Sequence, residues 1–283
     1  MTRGVRTTQI NLATIPDYQP LLIADTSAGE LPTLTLPDLN GSALLLIHRL
    51  IASGVFRLDR NKKEDDEIYG ALYDSYRNHK KLLFASPLDL NALHANIQTF
   101  RNALSRIPVN SEVFLRGIGD IMAERGVQDY FILLVLAHLK KNGVLFEFLF
   151  ANHDAEFLNI SDHHGFTNDY PLPEQYHSVI RLRMLIEQGL VSENDVSQLD
   201  ESCYKPALKL LSYEKLKTGG IDIFTHAPID LRCIKWVAKY YSIDYRAESR
   251  DELCACIDEI NKKFTEDYAK ERSMLHTYQK SLH

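Results

Sequence analysis

The sequence predicts an α/β layered fold, in which short buried strands alternate with helices. Three observations lead to this expectation. Apolar runs of β type alternate with stretches of helical periodicity, polar residues follow the strands where they end, and 283 residues with 45% hydrophobic side chains suffice for a sizeable core. We expect a single domain over residues 1–283, because no internal repeat or low-complexity linker divides the chain.

The predicted elements form strand, loop and helix units. The first unit is the strand "TLTLPDLNG" (33–41) with an apolar helix over 42–55, and the second joins "EVFLRGIGD" to the helix "VQDYFILLVLAHLKKNG", with Gly143 as its C-cap. A third strand is "VLFEFLF" (144–150). The fourth strand and its loop are "IDIFTHAPID" (221–230), and the helix "LRCIKWVAKYY" follows them.

Three further segments have helical periodicity. Residues 59–107, rich in Lys, Asp, Tyr and Asn, predict a helical insertion between the first two units. Residues 174–217 are predicted to be helical, and residues 249–283 are predicted to form a long charged helix or helix pair at the C-terminal end.

Composition excludes some classes of partner. A net charge of −6 gives no electrostatic reason to expect binding of nucleic acid or of an anionic membrane. The four cysteines show no C-x-x-C pair, which is typical of reduced thiols in a cytosolic protein. No apolar run is long enough to span a membrane, and the N-terminal residues lack the apolar centre of a signal peptide. We therefore expect a soluble protein without membrane insertion.

Polar side chains follow all four predicted strands, namely Asp38 with Asn40, Asp120, Asn152 with His153, and His226. Because the carboxyl ends of strands in an open α/β sheet converge on one crevice, we expect these groups to meet there. Taken singly, Asp38 and Asn40 are also typical turn residues. Together, the carboxylate, amide and imidazole donors suit a pair of borderline divalent metals such as Mn, Fe or Zn. Asp120 is the natural bridging ligand of such a pair.

The motifs at these strand ends are D-x-N-G, G-D-x-x-x-E-R-G, N-H-D and T-H-A-P. In this order they resemble the motifs of the calcineurin-like metallophosphoesterases, in particular the phosphoprotein phosphatase family. The resemblance covers residues 33–240 and implies a layered calcineurin-like fold with a helical insertion. A narrower similarity is to a divergent bacterial branch that includes phosphatases delivered into host cells as effectors.

The resemblance implies two divalent metal ions and their ligands. Asp38 and Asn40 correspond to ligands of the first metal, Asp120 to the bridging ligand, and Asn152 and His226 to ligands of the second metal.

The resemblance also implies the catalytic residues. Arg125 corresponds to a residue that binds phosphate oxygens, for which a planar cationic fork is suited. His153 corresponds to the general acid that protonates the leaving oxygen, and Glu124 would hold its imidazole in position.

Two departures from the family pattern leave alternatives open. Asn40 stands where the family has a metal-binding histidine, and only His276 and His283 remain for a further ligand late in the chain. These departures favour a pseudo-phosphatase that binds a protein partner through residues 59–107, whereas the complete catalytic set favours an enzyme. A metallophosphoesterase acting on nucleotides or phosphodiesters is a further alternative.

We therefore expect a dimetal phosphoprotein phosphatase, a hydrolase in which a metal-bridging hydroxide attacks phosphomonoesters directly. The expected substrate is a phosphoprotein, and the helical insertion is a candidate surface for a protein partner. We expect a cytosolic protein, and the narrower similarity implies a bacterial effector that acts inside a host cell.

Overall fold

A computed structural model of the chain describes residues 31–59, 61–166 and 177–268. Within these ranges the chain forms two compact units. One unit runs from Leu44 to Asn110, and the other is made of the residues up to Ala43 together with those from Ser111 onwards.

The first unit is helical. It contains α1 (Ala43–Ala52), α2 (Lys63–Leu83) and α3 (Leu90–Ser105), and α2 packs along α3. Asp89 caps α3, because its side chain accepts a 2.9 Å hydrogen bond from the backbone N–H of Ala92. The two long helices lie inside the segment 59–107, but whether that segment is an insertion into a single domain stays a prediction.

A polar network is buried between α2 and α3. The Nδ1 atom of His79 lies 3.0 Å from Oδ1 of Asn96, and the Asn96 amide donates to the carbonyl of Ser75 at 3.0 Å. Burial lowers the pKa of His79 to about 4, and the hydrogen bond with Asn96 opposes this only in part. The imidazole is therefore neutral at physiological pH, which ties the stability of the helix pair to pH.

The second unit is built on a four-stranded parallel sheet in the order β1-β2-β3-β4. The strands are β1 (Thr33–Leu36), β2 (Phe114–Gly117), β3 (Leu145–Leu149) and β4 (Leu208–Lys209). Their buried side chains include Leu34, Leu36, Leu115, Phe148 and Leu149. Because all four strands run in the same direction, their carboxyl ends lie at one edge of the sheet.

The helices of the second unit follow these strands. They are α4 (Asp129–Lys141), α5 (Asn152–Asn159), α6 (His177–Glu187) and α7 (Glu193–Leu199), and α6 and α7 pack against the almost fully buried α4. The helical prediction for residues 174–217 is correct for α6 and α7 and the short helical turns that reach residue 207. It is wrong from residue 208, where β4 begins.

The predicted fourth strand exists, but it does not join the parallel sheet. It is β6 (Ile221–Phe224), and it pairs antiparallel with β5 (Ser212–Lys215) in a separate two-stranded sheet. The connection allows this, because Gly219 has a φ of +92° and the N–H of Leu216 donates to the carbonyl of Gly220 at 3.0 Å. The strand therefore turns back on β5 rather than crossing over to the sheet.

Two helices complete the second unit, α8 (Leu231–Tyr240) and α9 (Arg250–Tyr268). Ile234 and Ala238 of α8 pack with Ile257 and Ile260 of α9 in one buried cluster. The charged helix predicted for 249–283 is present as α9, while residues 269–283 lie outside the described residues. None of the described helices is both long and apolar enough to cross a membrane, and all four cysteines are free thiols.

Arg116 links the parallel sheet to the β5–β6 hairpin. Its side chain on β2 is 3% exposed and lies 2.8 Å from Glu147 of β3 and 3.0 Å from Glu214 of β5. Its guanidinium also lies 4.2 Å from the centre of the Phe224 ring on β6. A single buried cation thus joins side chains from four strands.

Candidate functional site

Two loops at the carboxyl ends of β1 and β2 are joined backbone to backbone. The N–H of Gly41 donates to the carbonyl of Asp120 at 3.0 Å, and the N–H of Gly126 donates to the carbonyl of Asn40 at 3.1 Å. These bonds hold the loop after Asp38 against the loop "GDIMAERG" of residues 119–126. The first helix after the second loop begins only at Asp129, so Asp120 is not a helix cap.

Glycine is required where these loops meet their neighbours. A Cβ atom on Gly126 would lie 1.7 Å from the carbonyl oxygen of Gly41. Gly119 has a φ of +87°, and a Cβ there would lie 2.4 Å from Nδ1 of His226. The two glycines therefore permit loop-to-loop packing and the close approach of His226.

Three ionisable side chains converge at this edge of the sheet. Each of Asp120, Glu124 and His153 offers one ligand atom, and these atoms all lie within 4.8 Å of one another. Asp120 and Glu124 are only 7% and 4% exposed. Such a compact mixed set of carboxylate and imidazole donors is typical of a divalent metal site.

His226 completes the cluster from the hairpin. Its Nε2 atom lies 3.6 Å from Oδ2 of Asp120, and its Nδ1 atom lies 2.9 Å from the carbonyl oxygen of Ile118. Because a carbonyl can only accept, Nδ1 donates to Ile118, and this bond turns Nε2 towards Asp120. Metal-binding histidines are commonly oriented by such a bond from the other ring nitrogen.

Two carboxylate oxygens in the cluster are buried without a hydrogen-bond partner, Oδ1 of Asp120 and Oε2 of Glu124. Burial raises the pKa of Glu124, and the charges of Asp120 and Asp38 raise it further, while His153 and Arg125 act in the opposite direction. Burial and the neighbouring carboxylates thus disfavour the charged form of Glu124, which a nearby cation would favour.

Of the two residues predicted to bind the first metal, Asp38 and Asn40, only Asp38 lies near the cluster. The carboxylate of Asp38 accepts a 2.8 Å hydrogen bond from the N–H of Asn40, which is a turn interaction. Asn40 is exposed with a φ of 49°, and it contacts the neighbouring loop through its backbone carbonyl. Asp38 is near enough to affect the charge state of Glu124, whereas Asn40 lies at the surface of the turn.

Asn152 is the first residue of α5, and its side chain is exposed. It lines one cavity of about 380 Å³ together with His226. The two residues predicted to bind the second metal thus share the wall of a single cavity.

Arg125 and His153, the two predicted residues that act on the substrate, each lie beside an acid. Arg125 is 86% exposed in its side chain, and its Nε atom lies 3.1 Å from Oε1 of Glu124. Nδ1 of His153 lies 3.4 Å from Oε2 of Glu156, one helical turn later on α5. The acid beside this ring nitrogen is Glu156, which the sequence interpretation did not single out.

Asp154 is a further residue that the sequence interpretation missed. It is fully buried, and its Oδ1 atom accepts hydrogen bonds of 3.1 Å from the N–H groups of both Ile121 and Met122, while its Oδ2 atom accepts one of 3.2 Å from Ala151. Burial raises the pKa of Asp154 to about 7. One carboxyl group thus fixes the loop that carries Asp120 to the first turn of α5.

Asp129 holds the far end of the same loop. Its Oδ1 atom accepts a 3.0 Å hydrogen bond from the N–H of Ala123, a residue with a φ of 57°.

The sequence did contain a signal for the role of Asp154, because an acid in the first turn of a helix commonly binds backbone N–H groups.

Comparisons with known proteins support the expectation that this chain is a phosphatase. Residues 114–283, more than half of the chain, match the family model described as "WipA-like, phosphatase domain". The phosphatase domain from the Legionella effector WipB has a similar structure, with a TM-score of 0.76 and 27% sequence identity over 86% of this chain and 82% of that chain. A comparison with curated proteins gives no match. The expectation of a phosphatase is confirmed, and the chain belongs to the family of WipA-like phosphatase domains.

Proposed function

We propose that the phosphatase activity of this chain depends on divalent metal ions held by the cluster around Asp120. The observation that carries the proposal is the pair formed by Oδ2 of Asp120 and Nε2 of His226, which lie 3.6 Å apart and both carry a lone pair when the ring proton is on Nδ1. Two lone pairs at this separation repel unless a cation or a proton lies between them. The distance is also short enough for both atoms to reach one ion at about 2.0–2.2 Å each.

The donor set fits such ions. Asp120 and Glu124 each have a buried oxygen without a hydrogen-bond partner, which a metal would satisfy. We propose Asp120 as the shared ligand, with His226 and Asn152 on one side and Asp38 on the other, and Glu124 as an additional oxygen donor. Exposed Asn40 is the weakest member of the predicted set. When bound, two ions such as Mn, Fe or Zn would acidify water and offset charge on the phosphoryl group.

Two side chains act directly on the substrate in this proposal. Arg125 has its guanidinium in solvent beside Glu124, so it can turn to bind two phosphate oxygens. His153 has Nδ1 beside Glu156, which leaves Nε2 to donate a proton to the leaving oxygen. The resulting reaction is hydrolysis of a phosphomonoester of the type carried out by calcineurin-like phosphoprotein phosphatases.

We propose a phosphoprotein as the substrate and a bacterial effector role inside a host cell. The support is the similarity to a phosphatase domain of a Legionella effector. Because the first metal site has an asparagine in an exposed turn, a pseudo-phosphatase that binds a partner through residues 59–107 is the second candidate. A measurement of turnover separates the two.

The test is a phosphopeptide assay on protein of known metal content. We expect turnover that is abolished by a chelator and restored by Mn, and loss of both metal and turnover in Asp120→Asn. Asp222→Asn, at an exposed position on β6, is the control and should behave as wild type. Turnover that survives complete metal removal would overturn the metal proposal, and no turnover in any metal would support the pseudo-phosphatase.

A further inference from the structure

Helix α8 has an exposed apolar face in addition to its buried one. The buried stripe consists of Ile234 and Ala238, which pack in the core with α9. Half of the large apolar side chains that are exposed in the described residues lie between residues 229 and 240, namely Ile229, Leu231, Trp236 and Tyr240. A helix that only covers a core needs one apolar stripe, so the second stripe calls for a separate explanation.

The second stripe has helical periodicity. Cys233, Trp236, Val237 and Tyr240 follow the spacing i, i+3, i+4, i+7, which places them on one face of α8, with the half-buried Val237 at its edge against the core cluster. Trp236 is 58% exposed, and its ring stacks on Tyr240 at a centroid distance of 6.1 Å. We call these four residues the α8 stripe.

The α8 stripe is continuous with the candidate site. Cys233 and Val237 line the same cavity as Asn152 and His226, and the other walls of that cavity are mostly apolar, with Ala155, Leu210 and Ile229 among them. Trp236 and Tyr240 lie on the same face of α8 as Cys233, one and two turns further along the helix. A group bound at Asn152 and His226 would thus have an apolar surface beside it.

The charge of α8 suits an anionic ligand. The helix "LRCIKWVAKY" contains Arg232, Lys235 and Lys239 and no acid, although the whole chain has a net charge of −6. All three basic residues are exposed, and Arg232 is ion-paired with Asp230 directly before the helix, so Lys235 and Lys239 carry the charge offered to a ligand. A surface that is both apolar and basic complements a peptide that carries large apolar side chains together with phosphate or carboxylate groups.

We propose that the α8 stripe binds the substrate segment next to the phosphorylated residue, and that it selects phosphopeptides with a large apolar residue there. This inference rests on the proposed function of the neighbouring cluster. The stripe from Cys233 to Tyr240 is about 10 Å long at 1.5 Å per residue. An extended peptide covers that length in about three residues, so the selected apolar residue lies within about three positions of the phosphorylated one.

The test compares two phosphopeptides that differ only in leucine or serine at the positions flanking the phosphorylated residue. Wild-type protein should prefer the leucine peptide in kcat/KM by about 10-fold or more, because one well-buried apolar contact contributes this much to binding. In Trp236→Ser, the ratio of kcat/KM for the leucine peptide to that for p-nitrophenyl phosphate should fall about 10-fold. Leu145→Ser removes an apolar side chain that is 59% exposed at the start of β3 and should leave that ratio unchanged.

A second readout does not depend on catalysis. Trp236 is the only tryptophan of the chain, so its fluorescence reports on the α8 stripe alone. The leucine peptide should shift the emission to shorter wavelength, and the serine peptide should not. A shift without turnover of any phosphate would contradict the proposed function but support the α8 stripe.

Three outcomes would overturn the inference. One is equal kcat/KM for the two peptides with no change in emission, which would leave the proposed function intact. Another is a loss in Trp236→Ser that is the same for the peptide and for p-nitrophenyl phosphate. The third is a short-wavelength emission of the free protein that reverts on dilution, which would assign the α8 stripe to a second copy of the chain.

Discussion

Replacing Arg116 by methionine should be among the most destabilising single changes in the second unit. Methionine keeps much of the length of the side chain but removes the cation that lies beside both Glu147 and Glu214. The side chains of these two acids are 13% and 16% exposed, so their charges would remain largely desolvated. Removing one partner from a buried ion pair costs about 3–5 kcal/mol, to which the lost contact with Phe224 adds about 0.5–2 kcal/mol.

The assay is chemical denaturation of Arg116→Met beside a matched control. Arg232→Met removes an arginine whose ion pair with Asp230 is also short, at 2.6 Å, but whose side chain is 92% exposed. Exposed ion pairs contribute little because water screens them, so the control should lose little stability.

Function should fall together with stability in this variant. Arg116 attaches the hairpin whose second strand leads directly to His226, so a loosened hairpin would no longer hold Nε2 beside Asp120. If Arg116→Met unfolds with the same free energy as Arg232→Met and retains full turnover, the argument that this cation holds the hairpin and positions His226 is refuted.

The other predictions concern single side chains. His153→Asn should keep bound metal but lower kcat by about 10²–10⁴-fold, with a smaller loss for substrates that have good leaving groups; an equal loss across aryl phosphates would contradict the acid role. Asp154→Asn should lose about 1–3 kcal/mol in denaturation experiments, because its new N–H donor would face the N–H of Ala151, and wild-type stability would refute this. Since burial lowers the pKa of His79 to about 4, the unfolded chain takes up its proton first as pH falls below 6.5. The stability contributed by this residue is therefore complete above pH 6.5 and falls by about 1.4 kcal/mol per pH unit down to pH 4. Between these pH values, the free energy of unfolding should depend less steeply on pH in His79→Gln than in wild type. An equally steep dependence would exclude this role of His79.

The sequence predicted the parts of the fold that depend on local patterns. The strands before Asp38, Asp120 and Asn152 are short apolar runs that end in turn or capping residues, and each is a strand in the structure. The helices α4 and α8 were likewise predicted from their periodicity. These features need no knowledge of which strands pair.

Features that depend on distant contacts were not predictable. β4 contains only Leu208 and Lys209, too short to produce a pattern, and β6 has the same composition whether it joins the parallel sheet or folds back on β5. The predicted site residues nevertheless converge in part, because Gly119 lets His226 of the hairpin reach the loop of Asp120. The role of Arg116 depends on acids 31 and 98 residues away in sequence, which no local motif reveals.

The most direct test of the metal proposal is anomalous diffraction from crystals of this protein soaked in Mn. The proposal predicts an anomalous peak within about 2.0–2.3 Å of both Oδ2 of Asp120 and Nε2 of His226, and no such peak in crystals of Asp120→Asn. Crystals in which Mn binds elsewhere while these two atoms remain 3.6 Å apart with nothing between them would contradict it.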